Sequence, residues 1–292
     1  MTCSRDEAIR LYDAYTHEHL DRRRLLREMT ALAGSVAAAE VLILAIGASA
    51  AGAQQVAADD ARLAITEVRT KEAGAPAFSY VAGPKSMIEK PVPVVLVIHE
   101  NRGLNSHIRD VARRLALEGY WAIAPDFLSP QGGTPEDQDA ARAMIAKLDY
   151  DLALAQARAM LAGATEDEDS NGKAGAVGFC WGGAFVNRLA VAAGPALKAG
   201  VSYYGPAPAL AEAAKVQAAM MVHLAGKDER VNATALPWVA ALEAAGKRVD
   251  GHVYPDASHA FNNDTSAERY DKAAADLAWG RTVAFLRREL DA

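Results

Sequence analysis

From Ala64 onward the sequence alternates short apolar, β-branched runs with Ala-rich stretches of helical spacing, and this alternation narrows the possible folds most. A chain that repeats strand and helix in this way builds a parallel or mixed sheet covered by helices on both faces. The sharpest strand, 92–99, is a continuous apolar run entered through Pro91 and Pro93, as suits a strand buried on both sides. Further strands are expected at 65–69, 77–81, 121–124, 174–178, 199–204, 219–224 and 249–254. Helices are expected at 108–117, 136–162, 181–193, 233–245 and 267–290, each with apolar spacing that buries one face. The acidic stretch 166–172 reads as a solvated turn, because it lacks the ligand spacing and closing Glu of a calcium loop. With 292 residues, 51% of them hydrophobic and 23% charged, the chain can fill one large α/β core and still carry an appendage. The expected division is an extension over 1–60 and a domain over 61–292.

The extension has its own pattern. Asp21-Arg22-Arg23-Arg24-Leu25-Leu26-Arg27 precedes a small-residue apolar stretch over 29–51, and the order resembles a twin-arginine export signal with Ala51-Gly52-Ala53 as its cleavage site. That resemblance implies a periplasmic destination. The alternative is an amphipathic helix packed on the domain of a cytoplasmic protein, since Ala and Leu favour helix throughout the stretch. A stable membrane span is not expected, because Glu40 would place a carboxylate near mid-span. The net charge of −6 supplies no broad cationic field, so nucleic acid is not the expected partner. Only Cys3 and Cys180 are present, too few for a disulfide framework.

Gly178-Phe179-Cys180-Trp181-Gly182-Gly183 follows the apolar run 174–177 and opens an Ala-rich helix. This is a G-x-C-x-G elbow: a tight strand-to-helix turn whose small flanking residues let sheet and helix approach closely. The apex side chain is held out at the carboxyl edge of the sheet and sits at a helix N-terminus, whose positive end favours thiolate over thiol. A buried structural cysteine in a Gly-rich turn would look the same, so the elbow needs partners. In an elbow enzyme an acid and then a base follow the nucleophile, each in a loop after a later strand. Asp228 falls in the loop after strand 219–224 and His259 in the loop after strand 249–254, whereas His223 and His252 lie inside expected strands. His259 would accept the thiol proton, and Asp228 would fix the imidazole tautomer and offset its charge. The backbone N–H of Trp181 and that of Asn101, in the loop after strand 92–99, are the expected donors to the oxyanion. The elbow, acid and base together define an α/β-hydrolase fold with a mostly parallel central sheet. The reaction expected of it is cleavage of a small ester or lactone through a thioacyl-enzyme, with no cofactor and no metal.

With these three residues in this order, and with His99-Glu100-Asn101-Arg102-Gly103 after the Pro-bounded strand, the sequence over 64–290 resembles the dienelactone hydrolase family. Ser170-Asn171-Gly172-Lys173 and Tyr203-Tyr204-Gly205 are also similar to family members. The resemblance implies that Glu100 acts as a switch that takes the thiol proton when substrate arrives. A carboxylate beside a thiol would indeed keep it protonated until a ligand rearranges the site. The plainer reading of Glu100 is a loop carboxylate paired with Arg102. In dienelactone enzymes two arginines grip the substrate carboxylate, one of them four residues past the catalytic histidine; here that residue is Asn263. Arg142 is the candidate for the other. Trp181 stands where leucine is often found and alters the expected pocket wall. Competing functions are a general carboxylesterase or thioesterase and, outside enzymes, a binding protein on a hydrolase fold. A metallohydrolase built on His99 and Glu100 is disfavoured, because adjacent strand residues point to opposite faces. The oligomeric state is left open by the sequence.

Overall fold

In the computed structural model, which describes residues 5–18, 20–47, 54–85 and 91–291, three helices precede an eight-stranded sheet. The helices are α1 (Arg5–His17), α2 (Arg22–Ala33) and α3 (Val36–Ile46). The sheet begins with β1 (Leu63–Glu72) and β2 (Ala75–Pro84), a hairpin closed by Ala73 and Gly74, both at positive φ. Two successive positive φ values make the turn whose twist suits paired strands, so the expected strands 65–69 and 77–81 are the middles of one longer hairpin. The chain continues through β3 (Val92–Ile98), α4 (Ser106–Leu117), β4 (Trp121–Asp126), α5 (Gln138–Ile145), α6 (Tyr150–Glu166), β5 (Ser170–Phe179), α7 (Trp181–Ala192), β6 (Ala199–Tyr203), β7 (Ala219–Ala225), α8 (Glu229–Ala244), β8 (Val249–Tyr254) and α9 (Lys272–Leu286). The order across the sheet is β1-β2-β4-β3-β5-β6-β7-β8, antiparallel at the β1-β2-β4 edge and parallel from β4 onward.

This is the α/β-hydrolase architecture expected, with helices on both faces. Val94 to Ile98 of β3 are at most 3% exposed, each side chain contributing about 1.5–3 kcal/mol by burial. One expected helix, 136–162, is two helices instead. Asp137 caps α5 and Asp149 caps α6, each accepting a backbone N–H three residues on, and the second cap restarts the chain in a new direction. The acidic turn is also shorter than expected, since α6 runs to Glu166 and β5 begins at Ser170.

The order of strands places the site. Because β3, β5, β6, β7 and β8 run parallel, the loops after Ile98, Phe179, Ala225 and Tyr254 all leave the same carboxyl edge. Chain order reverses around β3 and β5, and the crevice outside such a reversal is where open α/β sheets bind ligands.

The N-terminal helices share a small core of Ala8, Ile9, Tyr12, Tyr15, Leu25, Met29, Ala39 and Ile46. Asp21, the residue before the arginine run, is the N-cap of α2, and Gly34 ends that helix in the left-handed conformation. No single described helix is long and apolar enough to cross a membrane; α2 and α3 pass such a test only as a pair bent by 110°. The expected cleavage site at 51–53, like Cys3, lies outside the described residues.

Candidate active site

Cys180 occupies the apex between β5 and α7 with φ 55° and ψ −112°, a left-handed backbone that a side chain adopts only when its surroundings enforce it. The enforcement is close packing. A Cβ on Gly178 would stand 2.1 Å from the Gly182 carbonyl oxygen, and one on Gly182 would stand 2.4 Å from that of Ile98, so only hydrogen fits at either place. The Cys180 N–H donates to the Tyr203 carbonyl at 3.0 Å, which fastens the apex to β6. Two further non-glycine residues at positive φ, Tyr204 and Ala260, stand next to this apex and next to His259 respectively.

Asp228 and His259 meet as the spacing predicts. One Asp228 carboxylate oxygen accepts the Val231 N–H at 3.1 Å and so caps α8; the other accepts from His259 Nδ1 at 2.5 Å. The cap explains why α8 begins before the expected 233: the residue that starts the helix also aims the histidine. Both side chains are at most 5% exposed. Burial alone would lower the His259 pKa, but the charges of Cys180 and Asp228 outweigh it and raise it to about 10. Burial tends to raise the Asp228 pKa, yet the imidazole beside it brings the net shift below the usual carboxylate value. His259 Nε2 is buried with no hydrogen-bond partner, and a donor nitrogen of this ring lies within 4.8 Å of Cys180 Sγ.

Glu100 is also buried at this edge, but its partner is Asn263, whose amide donates to the carboxylate at 2.8 Å. The pairing with Arg102 envisaged for it does not occur among the described ion pairs. Arg102 Nη2 instead donates to the Tyr12 hydroxyl of α1 at 2.8 Å. His99 presents Nδ1 to the Glu100 carbonyl at 2.7 Å and stacks on Trp181, so its fully buried ring is fixed outside the cavity lining. Trp181 opens α7, and the Asn101 side-chain amide donates to the Thr16 carbonyl at 3.3 Å. Arg142 is not brought to Cys180: it pairs with Asp139 at 3.4 Å and lies over the Tyr15 ring at 3.9 Å. The arginines that do line the cavity beside Cys180 are Arg102 and Arg269, 8% and 5% exposed.

Sequence reasoning missed both, and it missed α1 altogether. Tyr12, Asp13, Thr16 and His17 of this helix reach the carboxyl edge of the sheet. Asp13 pairs with Arg269, the His17 and His259 rings stand 4.8 Å apart, and His17 Nε2 lies 3.8 Å from Cys180 Sγ. With α1 in place the cavity beside Cys180 holds about 10 Å³, room for one water at most. Arg102, four residues past the end of β3, carried a usable signal: a cation just beyond a buried strand at the site edge. Nothing local in the sequence marks Arg269 or His17.

A cysteine at a strand–helix elbow, a histidine presented by a capping aspartate and a shared carboxyl edge define an α/β-hydrolase with a thiol apex. Residues 78–290 match the dienelactone hydrolase family, and the chain belongs to it. It is 33% identical over 245 residues to a protein of Escherichia coli K12 named "Putative carboxymethylenebutenolidase", covering 79% of this chain and 89% of that one. A Methylorubrum extorquens protein of the same name is 33% identical over 68% of this chain and 72% of its own. Among solved structures, a "Putative Dienelactone Hydrolase" from Klebsiella pneumoniae superposes with a TM-score of 0.71 at 30% identity, covering 77% of this chain and 99% of its own. The chain is thus a carboxylic ester hydrolase of the lactone and ester type.

Proposed function

We propose that the chain opens a small lactone or ester bearing a carboxylate, with Cys180 as nucleophile, His259 as proton carrier and Asp228 as its orienter. The observation that carries this reading is the Asp228–His259 hydrogen bond, which leaves His259 Nε2 free and close to the sulfur at the elbow. His259 accepts the thiol proton, and the thiolate attacks the carbonyl carbon. Backbone N–H groups of Trp181 and Asn101 receive the charge that forms on the carbonyl oxygen. The acyl–oxygen bond breaks, and the leaving oxygen takes the proton from the imidazolium. Water, deprotonated by the same imidazole, then attacks the thioester; the product acid leaves and the sulfur is restored. Glu100 lines the same cavity with its carboxylate held by the Asn263 amide, and in the switch that the family resemblance implies it, in place of His259, is the first acceptor of the thiol proton.

Two buried guanidiniums support a substrate with a carboxylate, because planar forks bind that group in bidentate fashion. Arg269 holds the carboxylate of Asp13 in the structure, and a substrate carboxylate would take its place as α1 moves aside. The test is a panel of lactones and aryl esters, with and without a free carboxylate, run with Cys180→Ala as blank. Turnover that disappears with Cys180→Ala, and that favours the free acid over its methyl ester, is expected. Arg269→Met should raise KM for the acid by roughly 10-fold or more, as loss of a charged hydrogen bond worth about 1.5–3 kcal/mol requires. Equal rates for acid and methyl ester would remove the carboxylate, and activity surviving in Cys180→Ala would remove the mechanism.

A further inference from the structure

We propose that His17, Cys180 and His259 form a binding site for one thiophilic divalent cation, zinc being the ion that fits, which fastens α1 over the elbow. Their donor atoms all lie within 4.8 Å of one another, although they come from the first helix, the elbow and the loop after the last strand. In a tetrahedral zinc site, with Zn–S near 2.3 Å and Zn–N near 2.0–2.1 Å, sulfur and nitrogen ligands stand about 3.6 Å apart. The observed 3.8 Å between Cys180 Sγ and His17 Nε2 already matches this edge. The widest pair would close by roughly 1 Å, a shift within reach of a helix docked by side-chain contacts.

The carboxylate that would orient His259 toward the ion is in place as well. Asp228 takes the Nδ1 proton of His259, which leaves the buried and unpartnered Nε2 to offer its lone pair. Metal-binding histidines are oriented by a carboxylate in this way. One thiolate with two imidazoles suits zinc or cobalt and disfavours magnesium and calcium, which demand oxygen. The cavity of about 10 Å³ beside these groups leaves a fourth position for one water. Binding displaces the thiol proton to solvent and occupies the sulfur. If the hydrolytic reading above is right, the bound ion therefore silences the enzyme in its closed state and chelation restores it.

The test uses cobalt(II) and the full chain in a Cys3→Ser background, so that Cys180 is the one thiol present. One equivalent should produce a thiolate-to-cobalt charge-transfer band and visible bands of tetrahedral intensity. Cys180→Ser should lose the charge-transfer band. His17→Ala and His17→Gln should each weaken binding by at least about 10-fold, the lower range for loss of groups that support a metal. Zinc should also shield Cys180 from iodoacetamide far better in the parent chain than in either His17 variant. No charge-transfer band at one equivalent, or His17 variants that bind cobalt as tightly as the parent, would overturn the site. These spectra do not depend on turnover, so a chain that binds cobalt but cleaves no lactone would fail the hydrolytic reading and leave this one standing.

Discussion

Asp228 joins two tasks in one carboxylate, and its dual contact sets what its replacement should do. Asp228→Asn keeps an oxygen to cap α8 but presents an amide to His259, which favours the wrong tautomer. A fall in kcat of about 10⁴-fold is expected, as when the triad aspartate of serine proteases is made asparagine, with little change in thermal midpoint. Steady-state kinetics beside a melting curve check both halves. His259 links the site to pH. Its pKa is raised in the fold from 6.5 to about 10, burial notwithstanding, by the charges of Cys180 and Asp228. Stability from a raised group is fully present below its unfolded value and is lost as pH rises through the folded one. The stability difference between the parent chain and His259→Gln should therefore be largest below pH 6.5 and shrink between 6.5 and about 10, as urea denaturation across that range would read.

At the scale of elements, the elbow is the least forgiving junction. Gly178→Ala would drive a Cβ into the Gly182 carbonyl, backbone against backbone, so β5 and α7 must separate. A loss of about 3 kcal/mol or more is expected, at the upper end for overpacking, together with lost activity; chemical denaturation measures it. This junction was legible in the sequence because it is local: small residues flank the apex within a few positions. Most strands and helices were legible for the same reason, through periodicity. The break between α5 and α6 was not, since Ala-rich spacing continues across it and only the Asp149 cap, three residues before Leu152, marks the restart. The hairpin of β1 and β2 extends past the expected strands, and its turn-proximal ends, 70–72 and 75–76, are exposed or half-buried and lack an apolar signature.

For the whole molecule, the decisive contact is α1 against the carboxyl edge of the sheet. Tyr12, Asp13, Thr16 and His17 engage Arg102, Arg269, Asn101 and Cys180 across more than eighty residues of sequence. With α1 in place Cys180 is only 5% exposed, so weakening the hold of this helix should speed chemistry at the sulfur. Tyr12→Phe combined with Asp13→Asn removes two of the anchors while keeping the bulk of both side chains. The rate of Cys180 alkylation by iodoacetamide should rise several-fold, and an unchanged rate would show that α1 does not limit access.

The sequence by itself determined the α/β layering, the elbow at Cys180, and the placing of Asp228 and His259 in loops after later strands, because each depends on spacing within a short stretch or on strands that must be buried. Only the tertiary structure decided that Arg102 and Arg269, rather than Arg142, line the cavity, that Asn263 holds Glu100, and that a helix from the extension closes the site. Those pairings join residues far apart in the chain. Which distant side chains meet is set by how the sheet orders its strands and how α1 docks on it, and no local pattern of residues encodes either.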